Sequence, residues 1–487
     1  MSRNLTLLTD LYQLTMAQGY WQFNKLDEQA CFYAFYRNNP FGGGYAISCG
    51  TDQIATLVSN FKFTQDDIDY LAQLEAPGGG KMFCQEFLEW LLDFELNVDI
   101  DAIPDGTVVF PHEPLVRVTG SLLHCQLLET ALLNGINFQT LIATKAARMC
   151  YAAGYKPIAE FGLRRAQGPD GGMSASRAAF IGGAASVANV LAGKEYKIPV
   201  SGTHAHSWIM SFEDELTAFR AYAQSMPKNC ILLVDTYNVT QGVQNAITVA
   251  KEMQERGEQL SGIRIDSGDL AWLSRKARKM LDEAGLQNVK IVLSNDLDEY
   301  TISALVEQGA CFDSLGVGTK LATAYDQAAL GGVYKLSAIR QSKDEPWQPK
   351  IKVSEETSKL TIPGVLDTMR FYNDDGTFAG DVIFDTCREV PQVMIGVDQN
   401  DQTHRKKYDA NLRHESMLKP FARGGKMCDF DLDATHARAH CHEQIELLEN
   451  STKRFLNPHR YPAGIERELF NVRTQLILQL RGLDSLY

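Results

Sequence analysis

An arginine and two carboxylates stand within Arg264-Ile265-Asp266-Ser267-Gly268-Asp269, at the end of the apolar run Gly262–Ile265. Ionised side chains crowded at a strand end are costly to bury unless they are paired or bind something. The guanidinium can fork onto a phosphate or a carboxylate. The aspartates can hold ribose hydroxyls or Mg²⁺. Together they suit a sugar phosphate with its metal. A structural Arg–Asp pair closing a strand is the plainer alternative.

Three further motifs carry chemistry. Glu160-Phe161-Gly162-Leu163-Arg164-Arg165 precedes the glycine-rich Ala166-Gln167-Gly168-Pro169-Asp170-Gly171-Gly172-Met173-Ser174-Ala175-Ser176-Arg177. An aromatic, two arginines, a glycine-rich loop and a helix start make a phosphate pocket, since backbone N–H groups can approach an anion there. A surface loop is the bland reading. Gly202-Thr203-His204-Ala205-His206-Ser207 offers two histidines that can ligate metal, move a proton or accept a phosphoryl group. Leu232-Leu233-Val234-Asp235-Thr236-Tyr237-Asn238 superficially resembles the ribose-phosphate loop of type I phosphoribosyltransferases. It lacks that loop's second acidic residue and its Thr-Gly-x-Thr, so a lone aspartate at a barrel strand end fits better.

These motifs need a scaffold that brings strand ends together. Apolar runs at Pro157–Phe161, Ile198–Ser201, Ile231–Val234, Gly262–Ile265, Lys290–Leu293 and Ser314–Val317 read as strands. Amphipathic stretches at Thr217–Gln224, Gln241–Arg256 and Ala271–Ala284 read as helices between them. Alternation of this kind predicts βαβ units and a parallel sheet. The runs end in Glu160, Thr203 and His206, Asp235, Asp266, Ser294-Asn295-Asp296, and Gly318-Thr319. Polar residues at successive strand ends are the layout of a (β/α) barrel, whose chemistry sits at the C-terminal rim. A doubly wound sheet would announce itself with G-x-G-x-x-G after its first strand, and that motif is missing.

The rest of the chain is less regular. Residues 1–24 read as helix, Cys31–Tyr36 as strand, Asp52–Val98 as several helices and Ile103–Val118 as strand pairs. Leu122–Ala153 reads as one long apolar helical stretch. Lys350–Ile383 alternates as antiparallel strands, and 425–482 returns to helix broken at Asn457-Pro458. The fold class expected is α/β: an irregular barrel with a flanking α/β domain built from N- and C-terminal segments. The expected divisions are 1–125, 126–340 and 341–487.

The chain has 487 residues, 45% of them hydrophobic, and a net charge of −13. An acidic surface with dispersed Lys and Arg disfavours nucleic acid and anionic membrane. No signal-like stretch and no spanning apolar run is visible, so a cytoplasmic protein is expected. Ten cysteines lie far apart without C-x-x-C and read as reduced thiols. Cys428, His436, His440, Cys441 and His442 cluster suggestively, but their spacing matches no standard zinc finger; the bland reading is a polar helix beginning near Asp433.

Taken in order, the segments resemble nicotinate phosphoribosyltransferases. The matching elements begin with Leu8-Thr9-Asp10-Leu11-Tyr12-Gln13-Leu14-Thr15-Met16, Arg37-Asn38-Asn39-Pro40-Phe41-Gly42-Gly43 and Glu160-Phe161-Gly162 with its arginines. They continue through Gly202–Ser207, Val234-Asp235-Thr236-Tyr237, Arg264–Asp269, Gly316-Val317-Gly318-Thr319 and Ser358-Lys359-Leu360-Thr361-Ile362-Pro363-Gly364. Order and spacing together make the likeness specific.

The resemblance implies a type II phosphoribosyltransferase fold and a homodimer with shared active sites. It implies transfer of 5-phosphoribosyl 1-diphosphate onto nicotinate, giving nicotinate mononucleotide and diphosphate. ATP hydrolysis would be coupled through a phosphohistidine, which by motif is His206, with Mg²⁺ as cofactor. Arg164 and the Gly168–Ser176 loop would stabilise the departing diphosphate; Asp235 and Asp266 would hold ribose hydroxyls or water on the metal. Nicotinate would stack on Phe161, with Tyr12 of the partner subunit on its other face. Arg264 and Thr203 would meet its carboxylate. Ser294, Gly316, Gly318 and Thr319 would cradle the 5′-phosphate.

One stretch departs from the family. After Gly182-Gly183 many relatives read Phe-Asp-Gly-Thr-Ser-Asn, whereas this chain reads Ala184-Ala185-Ser186-Val187-Ala188-Asn189. Nicotinamide phosphoribosyltransferases place an amide-reading aspartate where Ala185 falls, so alanine favours the acid as substrate. Three alternatives remain: a nicotinamide phosphoribosyltransferase, a non-catalytic metabolite-binding barrel, and a sugar-phosphate lyase with Lys320 as Schiff-base lysine.

Overall fold

A computed structural model describes residues 4–354, 360–409 and 411–483. Ser358 and Lys359 of the last family-like motif lie outside the described residues. Packing divides the chain into two units, 142–328 and the combination of 1–141 with 329–487.

The 142–328 unit carries the barrel. Its strands are β1 (Ile158–Glu160), β2 (Ser186–Val187), β3 (Ile231–Leu233), β4 (Gly262–Ile265), β5 (Lys290–Asn295) and β6 (Ser314–Val317). They form one sheet in the order β2-β1-β6-β5-β4-β3, parallel throughout. Consecutive strands other than β2 and β3 are neighbours and β6 returns to β1, so the order is that of an open ring. Val200 extends it by one bridge to Val187. The ring stays open between Val200 and β3, where no ladder is formed among the described residues.

The expected run Ile198–Ser201 is therefore a single bridge, and the two-residue β2 takes the strand position beside β1. Pro199 has no N–H to give a ladder, and its carbonyl accepts only from Val187. The segment read as a glycine-rich loop is also different: Gly168–Ile181 is helix from its first residue, with proline in the first turn. Proline there loses no helical hydrogen bond, and the Ala/Ser-rich remainder propagates the helix.

The other unit is made from both ends of the chain, as the expected flanking domain requires. Its larger sheet is antiparallel and interleaves them: Gln29–Tyr36 pairs with Gly332–Arg340, and Val98–Ala102 with Lys419–Arg423. A second sheet contains Leu366–Tyr372 against Phe378–Asp385, with Ala463–Glu466 added parallel. The apolar stretch expected as one helix is two, Leu122–Leu127 and Glu129–Ala152. Ala434–Leu447 is helical and is capped by Asp433.

The Cys/His cluster, with Cys428 ahead of that helix and the rest on it, is dispersed. His436 bonds Asp431 at 2.8 Å, His440 meets Thr107 at 3.1 Å, and His442 pairs with Glu446 at 3.5 Å. Among the described residues no three His, Cys, Asp or Glu side chains converge as metal ligands, and no helix is long and apolar enough to cross a membrane.

Candidate active site

The C-terminal ends of β4 and β5 assemble a charged cluster around Arg264. Three of its five N–H groups are engaged: Nε donates to Ser294 Oγ at 2.7 Å, Nη1 to Thr203 Oγ1 at 3.0 Å and Nη2 to Asp266 Oδ1 at 2.7 Å. Ser294 Oγ in turn donates to Asp266 Oδ1 at 2.5 Å. A guanidinium held on three sides has lost its rotamer freedom before any ligand arrives. Two N–H groups remain for an anion.

Phe161 lies beside it. The Arg264 guanidinium carbon stands 5.5 Å from the ring centroid. The ring covers Gly316 closely: a Cβ there would come within 2.7 Å of ring carbons and 3.2 Å of Ser294 Cβ. Glu160 fixes the turn from below. Its Oε1 accepts the Gly162 N–H and its Oε2 faces Ser176 Oγ at 3.2 Å. Burial pushes the Glu160 carboxyl above the usual range, against these hydrogen bonds. Gly162 is glycine because a Cβ would collide with Ala322 at 2.3 Å.

Asp235 joins through the backbone of the β4 turn. Its Oδ2 accepts from the Asp266 N–H at 2.9 Å and Ser267 Oγ at 2.6 Å. Its Oδ1 is buried without a hydrogen-bond partner among the described residues. Such an atom is costly unless a cation, a hydroxyl or water completes it. Asp235 and Asp266 thus make an oxygen donor set that fits Mg²⁺ with retained waters. Asp269, the second carboxylate of the opening motif, caps the helix Leu270–Glu283 by accepting the Trp272 N–H at 3.0 Å.

The two histidines separate by environment. His204 is buried; its Nε2 accepts the Leu233 N–H at 3.1 Å and its Nδ1 faces the Ala205 carbonyl at 3.3 Å. Accepting at Nε2 places the proton on Nδ1. His206 is half-buried, and its Nδ1 meets Thr236 Oγ1 at 3.1 Å. Its Nε2 makes no hydrogen bond among the described residues.

The structure therefore joins Thr203, Phe161, Arg264, Asp266, Ser294, Gly316 and Asp235 into one connected group, with His206 opening the adjoining short helix His206–Met210. Ser294 sits inside the Arg264–Asp266 cluster, buried. Gly318 caps the short helix Thr319–Ala322, and Thr319 opens it. Arg164 is exposed in the turn Leu163–Arg165 and forms no ion pair among the described residues. Tyr12 lies in the other unit, 46% exposed on the helix Leu11–Gln22. Lys320 stacks its ammonium 3.6 Å from the Tyr325 ring centroid. Sequence reasoning passed over Thr236 and Ser267, whose contacts span about thirty residues and leave no local signal.

Comparison with known proteins agrees with this geometry. Family models match in series: the nicotinate phosphoribosyltransferase N-terminal domain over residues 7–137, the nicotinate phosphoribosyltransferase family over 157–363 and the corresponding C-terminal domain over 367–473. The chain is 40% identical over 482 residues to a nicotinate phosphoribosyltransferase of Bacillus subtilis, covering 98% of this chain and 96% of that one. It is 36% identical over 527 residues to nicotinate phosphoribosyltransferase 2 of Arabidopsis thaliana, covering 96% and 93%. The crystal structure of human nicotinic acid phosphoribosyltransferase superposes with a TM-score of 0.83 at 30% identity, covering 96% and 99%. A nicotinate-nucleotide pyrophosphorylase of Pyrococcus furiosus, 21% identical with a TM-score of 0.68, shares the fold. With the curled parallel sheet and the cluster at its strand ends, these matches make the chain an enzyme of the nicotinate phosphoribosyltransferase family, built on the type II phosphoribosyltransferase fold.

Proposed function

We propose that this chain joins nicotinate to 5-phosphoribosyl 1-diphosphate. The pyridine nitrogen forms a bond to ribose C1 while the C1–O bond to diphosphate breaks. The products are nicotinate mononucleotide and diphosphate, so the reaction salvages the acid for NAD synthesis. One observation carries this reading: a tethered Arg264 with two spare N–H groups lies 5.5 Å from the Phe161 ring. An aromatic platform beside a fixed guanidinium suits a flat ring bearing a carboxylate.

In this reading Thr203 holds Arg264 and also faces the nicotinate carboxylate. Asp235 and Asp266 would hold the ribose hydroxyls or water on Mg²⁺. When bound, Mg²⁺ neutralises charge on the departing diphosphate. Arg164, unpaired at the rim, closes on the same phosphates. Ser294, Gly316, Gly318 and Thr319 bound the 5′-phosphate side, where the last two offer backbone N–H groups at a helix start.

His206 is proposed as acceptor of the γ-phosphoryl group of ATP. Its Nε2 attacks phosphorus, ADP leaves, and water later cleaves the P–N bond to release phosphate. The Thr236 contact at Nδ1 favours His206 over His204, whose Nε2 lone pair is already used. The site is proposed to be completed in a homodimer, with Tyr12 of the partner subunit over the pyridine ring.

The test is nicotinate with 5-phosphoribosyl 1-diphosphate and Mg²⁺, with and without ATP, followed for nicotinate mononucleotide. Product that rises with ATP is expected; no product under either condition would reject the reading. Labelling with γ-³²P-ATP should give acid-labile label on wild type and on His204→Ala, and none on His206→Ala. Label persisting on the His206 variant would overturn its role.

A further inference from the structure

The barrel ring is open at one place, between Val200 and β3. A parallel edge strand presents alternate N–H groups to its open side. Just past β3 the Val234 N–H turns inward to the Arg264 carbonyl at 3.1 Å, so by alternation the Leu233 N–H faces the gap. A buried N–H without a partner is costly. His204 Nε2 accepts it at 3.1 Å. The imidazole reaches the edge from the loop Gly202–Ala205, which crosses the opening.

The loop and the helix start that follows it have two further ties. Thr203 Oγ1 accepts from Arg264 Nη1 at 3.0 Å, and His206 Nδ1 meets Thr236 Oγ1 at 3.1 Å, three residues beyond Leu233. His204 is backed by the helix Glu215–Ser225: Tyr222 packs edge-on at 4.6 Å between centroids, and Phe219 lies at 6.3 Å. We propose that His204 is a positioning residue, a side-chain substitute for the missing barrel strand that fixes His206 against Thr236. This deepens the reading of His206 as phosphoryl acceptor and rests on it for the catalytic consequence.

The tautomer required is neutral with the proton on Nδ1, and the surroundings enforce it. Burial lowers the His204 pKa most; Arg264 and His206 lower it further, against the Ala205 carbonyl. The Tyr222 phenol that packs against the ring is itself raised by burial.

Three substitutions test the proposal. His204→Gln places Oε1 near the position of Nε2 and keeps the acceptor. His204→Leu keeps the bulk without an acceptor, and His204→Asn is too short to reach. Two readouts are independent of ATP: hydrogen exchange at the Leu233 amide, and the rate at which diethyl pyrocarbonate modifies His206, both by mass spectrometry. Loss of one hydrogen bond should speed Leu233 exchange about fivefold in the Leu and Asn variants. His206 modification should change by a similar factor, and nicotinate mononucleotide formed per ATP consumed should fall. His204→Gln should match wild type in all three. If the Leu variant does not fold, the Gln and Asn pair decides in the same way.

Unchanged Leu233 exchange and unchanged His206 reactivity in the acceptor-free variants would overturn the proposal, as would a Gln variant behaving like Leu. A role confined to stability would lower the melting temperature and leave His206 reactivity alone. Absence of label from ATP on wild-type His206 would reject the phosphoryl-acceptor reading instead, and the two ATP-independent readouts would still decide His204.

Discussion

Arg264 is the residue on which base choice turns. Three of its N–H groups are fixed by Ser294, Thr203 and Asp266, so the two that remain can meet a carboxylate without first being ordered. A neutral carboxamide returns less to a guanidinium. An ion pair in a dry site is worth roughly 2–3 kcal/mol, so nicotinate should exceed nicotinamide about a hundredfold in kcat/KM. Comparable efficiency for the two bases would refute this. Much of the site was legible in the sequence because Arg264, Asp266 and Asp235 are ionic residues ending apolar runs, and such residues stand out. Between His204 and His206 the family motif pointed to His206, but the two residues themselves gave no physical ground for it. Two residues apart, they differ only in what the fold brings against them: a strand N–H for one, a threonine hydroxyl for the other.

Elements decide whether a polar residue serves chemistry or the scaffold, and Asp269 shows the difference. It stands three residues after Asp266, yet its carboxylate caps the helix Leu270–Glu283. Asp269→Ala should therefore cost about 1 kcal/mol of stability and lower the melting temperature by a few degrees. Transfer activity at a temperature well below the transition should stay close to wild type. A collapse of kcat at unchanged stability would instead make Asp269 a site residue. Gly316→Ala works the other way. The added methyl meets the Phe161 ring at 2.7 Å, so the ring must shift and KM for nicotinate should rise while the strand stays folded. Gly262–Ile265 and Ser314–Val317 were readable to the residue, since parallel strands covered on both faces are short, largely apolar runs. Ser186–Val187 was not: a two-residue strand has no periodicity to read. The glycines of Gly168–Ile181 pointed to a loop because propensity weighs glycine against helix, and proline in the first turn with an Ala/Ser continuation outweighed them.

At the scale of the whole chain, acid should act on the flanking unit through two half-buried histidines. Burial drives His112 and His124 down to about 4. Their folded pKa values lie below the unfolded value, so the unfolded chain binds more protons between about pH 6.5 and 4. Stability should be full above that window and fall as pH drops through it; a denaturation midpoint flat from pH 7 to 4 would contradict the assignment. Assembly is the other property of the whole molecule. The helix Leu11–Gln22 and its C-cap leave Leu11, Tyr12, Met16 and Phe23 at 47, 46, 40 and 78% exposure, more apolar surface than one isolated helix ordinarily shows to water. A second copy covering it would carry Tyr12 into the neighbouring site, as the homodimer reading requires. Mixing Tyr12→Ala with Arg264→Ala chains tests this directly. In a mixed dimer one site combines both lesions and the other combines none. Equal mixing makes half of the dimers mixed, so about a quarter of wild-type activity should return if the sites are shared. Each variant alone should stay nearly inactive. If subunit exchange is demonstrated by mass and activity does not recover, Tyr12 does not complete a neighbour's site.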